Sequence, residues 1–149
     1  MDNISLKALA KINLGLDVVR RRDDGYHEVR MIMQTINLFD RLEIKKIKEP
    51  AIKIHTNLFF LPVNENNLVY KAAKLLIDEF GIQEGVSVGL TKKIPVAAGM
   101  AGGSTDAAAM LFGMNRLFGL GLSKKQLMER GVKIGADVPY CIMRGTALA

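Results

Sequence analysis

The stretch Pro95-Val96-Ala97-Ala98-Gly99-Met100-Ala101-Gly102-Gly103-Ser104-Thr105 can hold an anion on its backbone. Glycines at 99, 102 and 103 lack the Cβ that would keep a ligand off the main chain, and they allow left-handed φ angles that turn successive N–H groups inward. The alanine-rich residues that follow predict a helix starting near Ser104. Its unpaired first-turn amides and positive dipole end would add roughly 0.3–1 kcal/mol per charge at an exposed site. Polyphosphate is the ligand this suits. Two common phosphate motifs are excluded, because no lysine follows the glycines and no Gly-x-Gly-x-x-Gly turn follows a first strand. Taken alone, the loop also fits a structural role in which glycines let a buried helix pack closely on a sheet.

Other side chains could act beside such a cradle. Asp137, in Gly135-Ala136-Asp137-Val138-Pro139, falls between a glycine turn and an apolar segment expected to be a strand, which suits a general base at the rim of a cleft. It equally suits a turn residue that satisfies local amides. Lys11 sits among Ala8, Leu9, Ala10 and Ile12, and a lysine flanked by apolar surface needs an anion such as Asp137 or a phosphate, unless it snorkels to solvent. Asp24-Gly25-Tyr26-His27 is a tight-turn sequence followed by two rings able to stack on or hydrogen-bond a planar base. It also fits a turn with exposed aromatics. Asp106 falls early in the expected helix, where a carboxylate caps amides and complements the dipole. His55 stands alone on a strand, and no metal site built of protein side chains is expected.

The elements that would carry these residues are visible in the periodicity. Ile12, Leu14, Leu16 and Val18 alternate, as do Ile52/Ile54 and Val86/Val88/Leu90, so each segment reads as a half-buried strand. Residues 29–36 and 40–48 also read as strands; Ile47 is out of phase with Leu42 and Ile44, which predicts a bulge or an early end. Asn66-Asn67 offers an N-cap to a helix carrying Leu68, Ala72, Leu75, Leu76 and Phe80, stopped by Gly81. Residues 104–118 form a helix apolar on nearly every side, which must be central. Ser123 and Gln126 form a capping box for a short helix ending at Gly131. Residues 139–143 and 145–149 return to strand character.

Composition describes an ordinary globular chain: 149 residues, 49% hydrophobic and 24% charged. The net charge of +6 favours acidic ligands. The basic clusters Arg20-Arg21-Arg22, Lys45-Lys46, Lys92-Lys93 and Lys124-Lys125 lack the interleaved aromatics of nucleic-acid binders. Cys141 is the sole cysteine, expected to be a small buried hydrophobe. The start of the chain lacks signal-peptide character and no apolar run approaches the roughly 20 residues of a membrane span, so a cytoplasmic protein without membrane or nucleic-acid partners is expected. The chain stops within the apolar Thr146-Ala147-Leu148-Ala149, which reads as a truncation. An exposed apolar face would then favour a homodimer or aggregation.

Three segments together resemble the GHMP small-molecule kinases: Lys7-Ala8-Leu9-Ala10-Lys11-Ile12-Asn13-Leu14 with Asp24-Gly25-Tyr26-His27-Glu28, then Pro95 through Ala109, then Gly135 through Pro139. The Asp-Gly-Tyr-His turn narrows the likeness to members acting on a diphosphocytidyl-linked polyol. The resemblance covers the whole chain and implies an α+β or α/β fold like ribosomal protein S5 domain 2, with ATP on residues 95–105 and Mg²⁺ as the metal. It further implies that Asp137 takes the proton of the substrate hydroxyl and that Lys11 orients Asp137 and offsets developing charge. Asn13 would help place the substrate, Tyr26 and His27 would hold the cytosine, and Asn67 and Lys92 would lie near the adenosine. Thr105 replaces a serine often found in the family's loop and keeps its hydroxyl. Family members continue into a second domain, so residues 1–149 would be the N-terminal, ATP-binding one. Two alternatives stay open: a mevalonate- or homoserine-type kinase of the same family, and a nucleotide- or RNA-binding module without chemistry.

Overall fold

In the computed structural model, residues 1–21, 27–95, 102–144 and 146–148 are described. Five strands form one sheet in the order β3-β4-β2-β1-β5. Strands β1 (Asn3–Arg21) and β2 (His27–Ile47) are long antiparallel neighbours. Strand β3 (Ile52–Thr56) runs parallel to β4 (Gly85–Thr91), and the intervening helix α1 (Leu68–Phe80) makes the crossover that a parallel pair requires. Helices α2 (Gly102–Leu117), α3 (Lys124–Gly131) and α4 (Val138–Arg144) follow, and β5 (Thr146–Leu148) pairs antiparallel with β1. No helix among the described residues is long and apolar enough to cross a membrane.

Alternation sorts the sheet into two faces. Leu6, Ala8, Leu42, Ile44, Val86, Val88 and Leu90 point into one core with Ala72, Ala73 and Leu76 of α1 and the apolar face of α2. Helix α2 is buried along most of its length, as its all-round apolar sequence requires. It sits unusually close to the sheet: a Cβ on Gly113 would stand 2.5 Å from the Cδ1 atoms of both Ile44 and Leu6. Helix α1 is closed by Asn67, whose Oδ1 accepts from Val69 N–H at 2.9 Å, and by Gly81 at φ 61°, where the Gly81 and Ile82 amides both donate to the Ile77 carbonyl. The Ser123–Gln126 capping box opens α3.

Several expectations need correction. Residues 139–143 are helical, within α4. Val138, Cys141 and Ile142 are the buried positions, a spacing of three and four that belongs to a helix, and Pro139 lies in the first turn where its missing N–H is harmless. The two strands expected at 29–36 and 40–48 are one continuous β2, which ends at Ile47. No bulge occurs between Arg41 and Ile47; the register shifts against β1 fall instead near Lys11, Leu16 and Arg20. Helix α2 starts at Gly102, two residues before Ser104. Cys141 is buried, and its sulfur accepts a hydrogen bond from the Thr105 hydroxyl at 3.4 Å, so it has a polar partner as well as apolar neighbours.

The contact at Gly113 sets a test. Gly113→Ala should destabilise the chain by about 1–3 kcal/mol, since the new methyl must push both Leu6 and Ile44 from a packed core. Chemical denaturation checks this; an unchanged or raised midpoint would mean that α2 is free to lift from the sheet.

Candidate nucleotide-binding site

Three charged side chains meet under the start of α2. Asp40 on β2 continues the inward phase of Leu42 and Ile44, and Lys92, just past β4, continues that of Val86, Val88 and Leu90. Asp106 enters from α2. The Lys92 ammonium donates to Asp40 Oδ2 at 2.6 Å and to Asp106 Oδ2 at 2.7 Å, and all three side chains are almost wholly shielded from water. Asp40 Oδ1 also accepts the Lys93 and Ile94 amides at 2.6 and 2.9 Å. The Lys92 peptide is held from the other side by Asn57, which accepts from its N–H at 2.8 Å and donates to its carbonyl at 3.1 Å. Residues 92–94 are thus pinned immediately before the glycine-rich loop, and Asp106 is pinned immediately after it.

The cluster sets its own protonation. Burial pushes the Asp106 carboxyl well above the usual carboxylate range, the neighbouring Asp40 pushes it further, and Lys92 opposes them only in part. Burial by itself would lower Lys92, but the two carboxylates, Asp106 foremost, outweigh it and hold the ammonium above its ordinary value. With both carboxylates ionised the group would carry a net charge of −1 in a water-excluded place, which is costly. A proton on Asp106 removes that charge. Asp40 accepts from three donors, the Lys92 ammonium and the Lys93 and Ile94 amides.

A pocket of about 190 Å³ opens over this cluster. Leu61, Pro62, Leu68 and Leu90 give it apolar walls, while Asn67, Lys92, Pro95, Gly103 and Asp106 supply the rest of its lining. Four of the residues expected from sequence therefore converge: Asn67, Lys92, Pro95 and Gly103. Two have other tasks. The Asn67 side chain caps α1 and donates to the Pro62 carbonyl at 3.0 Å, and the Lys92 ammonium is engaged by two carboxylates.

The remaining expected residues are dispersed. Ser104 is half-buried in the first turn of α2, and Thr105 is buried against Cys141. Gly102 begins the helix, whereas Val96, Ala97, Ala98, Gly99, Met100 and Ala101 lie outside the described residues, as does Tyr26. Lys11 and Asn13 occupy β1 opposite Thr35 and Met33, and His27 begins β2 opposite Arg21; their side chains are also outside what is described. Asp137 is exposed and precedes a helix, with its carbonyl accepting from Cys141 N–H at 3.2 Å; the strand expected after it is absent. Asp106 does not cap amides: its carboxylate turns inward to Lys92. The phase of the flanking strands marked Asp40 and Lys92 as inward, a signal sufficient to find the pair.

A helix start fed by a glycine-rich loop, with an apolar slot beside it, is the arrangement of an anion-and-ring site in an α/β domain. The chain belongs to the GHMP kinases: the family description "GHMP kinases N terminal domain" matches residues 67–145. It is 63% identical to 4-diphosphocytidyl-2-C-methyl-D-erythritol kinase of Lachnospira eligens, covering 100% of this chain and 52% of that protein. The enzyme of the same name from Bacillus subtilis is 54% identical, over 96% of this chain and 50% of the relative. A crystal structure of 4-(cytidine 5'-diphospho)-2C-methyl-D-erythritol kinase superposes with a TM-score of 0.74 at 35% identity, covering 98% of this chain and 51% of that one. Homoserine kinase from Cytophaga hutchinsonii, at 20% identity and a TM-score of 0.75, shares the fold. The chain spans about half the length of the curated relatives it matches.

Removing the ammonium tests the cluster. Lys92→Met should cost about 3–5 kcal/mol, because the buried carboxyls of Asp40 and Asp106 are left facing each other without their shared donor. The penalty should shrink as pH falls, because a protonated Asp106 leaves less buried charge without a partner. Urea denaturation at several pH values measures it; a pH-independent loss would show that packing, and not charge, makes Lys92 important.

Proposed function

We propose that this chain is the ATP-binding half of a kinase that phosphorylates the 2-hydroxyl of 4-diphosphocytidyl-2-C-methyl-D-erythritol, a step in non-mevalonate isoprenoid precursor synthesis. The observation that carries the reading is the 63% identity that extends over all 149 residues. It is supported by the pocket beside the glycine-rich loop, whose apolar walls suit an adenine ring and whose Gly103 edge leads toward the first turn of α2. In a chain half the length of its relatives, a second domain would complete the cleft.

Phosphoryl transfer asks a protein mainly for positioning and charge stabilisation. Residues 95–105 would cradle the polyphosphate with backbone amides, and Asn67 and Lys92 would fix the walls of the adenosine pocket through the bonds they already make. Among the described residues no group of three His, Cys, Asp or Glu side chains could hold a metal ion. Mg²⁺, when bound with the nucleotide, would supply charge neutralisation on the phosphates. Asp137, exposed beside α4, would accept the proton of the attacking hydroxyl. Lys11 would orient that carboxylate and stabilise the transferred group, with Asn13 placing the polyol. Tyr26 and His27 would grip the cytosine ring. A soluble cytoplasmic enzyme with a small-molecule substrate follows from this reading.

Two variants separate the roles. Asp137→Asn, in the complete enzyme, should lower kcat by roughly 10²–10⁴-fold while ATP affinity stays near wild type, since a positioned base acts on the chemical step. Tyr26→Ala should instead raise KM for the cytidyl substrate alone. Steady-state kinetics with both substrates varied decide the matter; an Asp137→Asn enzyme with wild-type turnover at saturation would remove Asp137 from the reaction.

A further inference from the structure

Thr105 and Asp106 are neighbours near the start of α2 and reach different elements. Asp106 meets Lys92 on the sheet side, whereas the Thr105 hydroxyl donates to Cys141 Sγ on α4 at 3.4 Å. Thr105 and Cys141 are both buried. Sulfur is a weak acceptor, so an apolar pair of the same size would fill this place at little cost in stability. What the hydrogen bond adds is direction: it fixes how α4 is turned against α2.

Cys141 is tied at its backbone to Asp137. Its N–H donates to the Asp137 carbonyl at 3.2 Å, closing the first turn of α4. Val138, three residues before Cys141 and on the same buried face, packs on α3, where a Cβ on Gly131 would stand 2.9 Å from Val138 Cγ1. A contact at Val138 alone leaves α4 free to pivot, and the bond at Cys141, almost one turn further on, stops the pivot. On α2, Gly103 lines the nucleotide pocket two residues before Thr105. A hydrogen-bonded path thus runs from the first turn of α2 through Thr105 and Cys141 to the Asp137 backbone. We propose that Thr105 is a positioning residue for phosphoryl transfer: through Cys141 it fixes the turn that carries Asp137 against the helix start that holds the polyphosphate. The proposal rests on the kinase reading with Asp137 as the base, and it assigns the Thr105 hydroxyl hydrogen to α4, leaving the Thr105 backbone to the phosphates.

Valine keeps the backbone and the volume of threonine and loses the hydroxyl. In the complete enzyme, Thr105→Val should lower the single-turnover rate roughly tenfold to a hundredfold, the scale of a misplaced reacting group, while KM for ATP stays near wild type. Thr105→Ser should recover most of the rate. Cys141→Ala removes the acceptor and should reproduce the loss, and adding Thr105→Val to it should cost no more. In an Asp137→Asn background Thr105→Val should have no further effect, because a residue that acts through a carboxylate has nothing to act on once that carboxylate is gone. Equal losses in both backgrounds, or a wild-type rate in either Thr105→Val or Cys141→Ala, would overturn the proposal while leaving Asp137 the base. A wild-type rate in Asp137→Asn itself would overturn both.

Discussion

The contact on which the rest of this domain depends is the buried meeting of Asp40, Lys92 and Asp106. It joins β2, the end of β4 and α2 at a single ammonium, and the two distances, 2.6 and 2.7 Å, leave little freedom. Such a group adds little net stability, because desolvating an ammonium and its carboxyl partners offsets much of their attraction. Its effect is positional. Apolar packing would let α2 slide along the sheet by fractions of a turn, whereas a shared ammonium admits one register.

That register matters because of what lies between the pinned residues. Lys92, Lys93 and Ile94 are held by Asp40 and Asn57 before the glycine-rich loop, and Asp106 is held after it. A cradle built of glycines gains close approach to a ligand at the expense of backbone entropy. Fixing the residues on both sides of such a sequence limits that loss. Gly113, further along α2, serves the same end by letting the helix approach Leu6 and Ile44 more closely than any side chain would allow.

Much of this was legible in the sequence wherever one face of an element is buried. Period two marked β1, β3 and β4, and Asn67, Gly81 and the Ser123–Gln126 box marked helix ends because caps are local chemistry. Residues 138–144 misled because a short apolar run fits strand and helix alike; only the buried set Val138, Cys141 and Ile142 separates them. The site was legible in part. The pocket gathers Asn67, Lys92, Pro95 and Gly103, while residues 96–101 of the glycine-rich stretch lie outside the described residues. Asp40 carries no local signal, and Asp106 reads as a cap because a carboxylate near a helix start has a ready local explanation. Their partnership joins residues 40, 92 and 106, and no local pattern records such a contact. The inward phase of positions 40 and 92 was the available clue: a charge on the core side of a strand must find its counter-charge.

Phosphoryl transfer to a cytidyl-linked polyol is detected directly by mass spectrometry. The 149-residue chain, alone and joined to the remaining half of a full-length relative, is incubated with MgATP and a panel of 4-diphosphocytidyl-2-C-methyl-D-erythritol, mevalonate and homoserine. Gain of one phosphoryl group by the cytidyl compound only, in the completed enzyme, is the result expected. Phosphorylation of mevalonate or homoserine instead, or of none of the three while ATP also fails to raise the Tm of the chain, would contradict it.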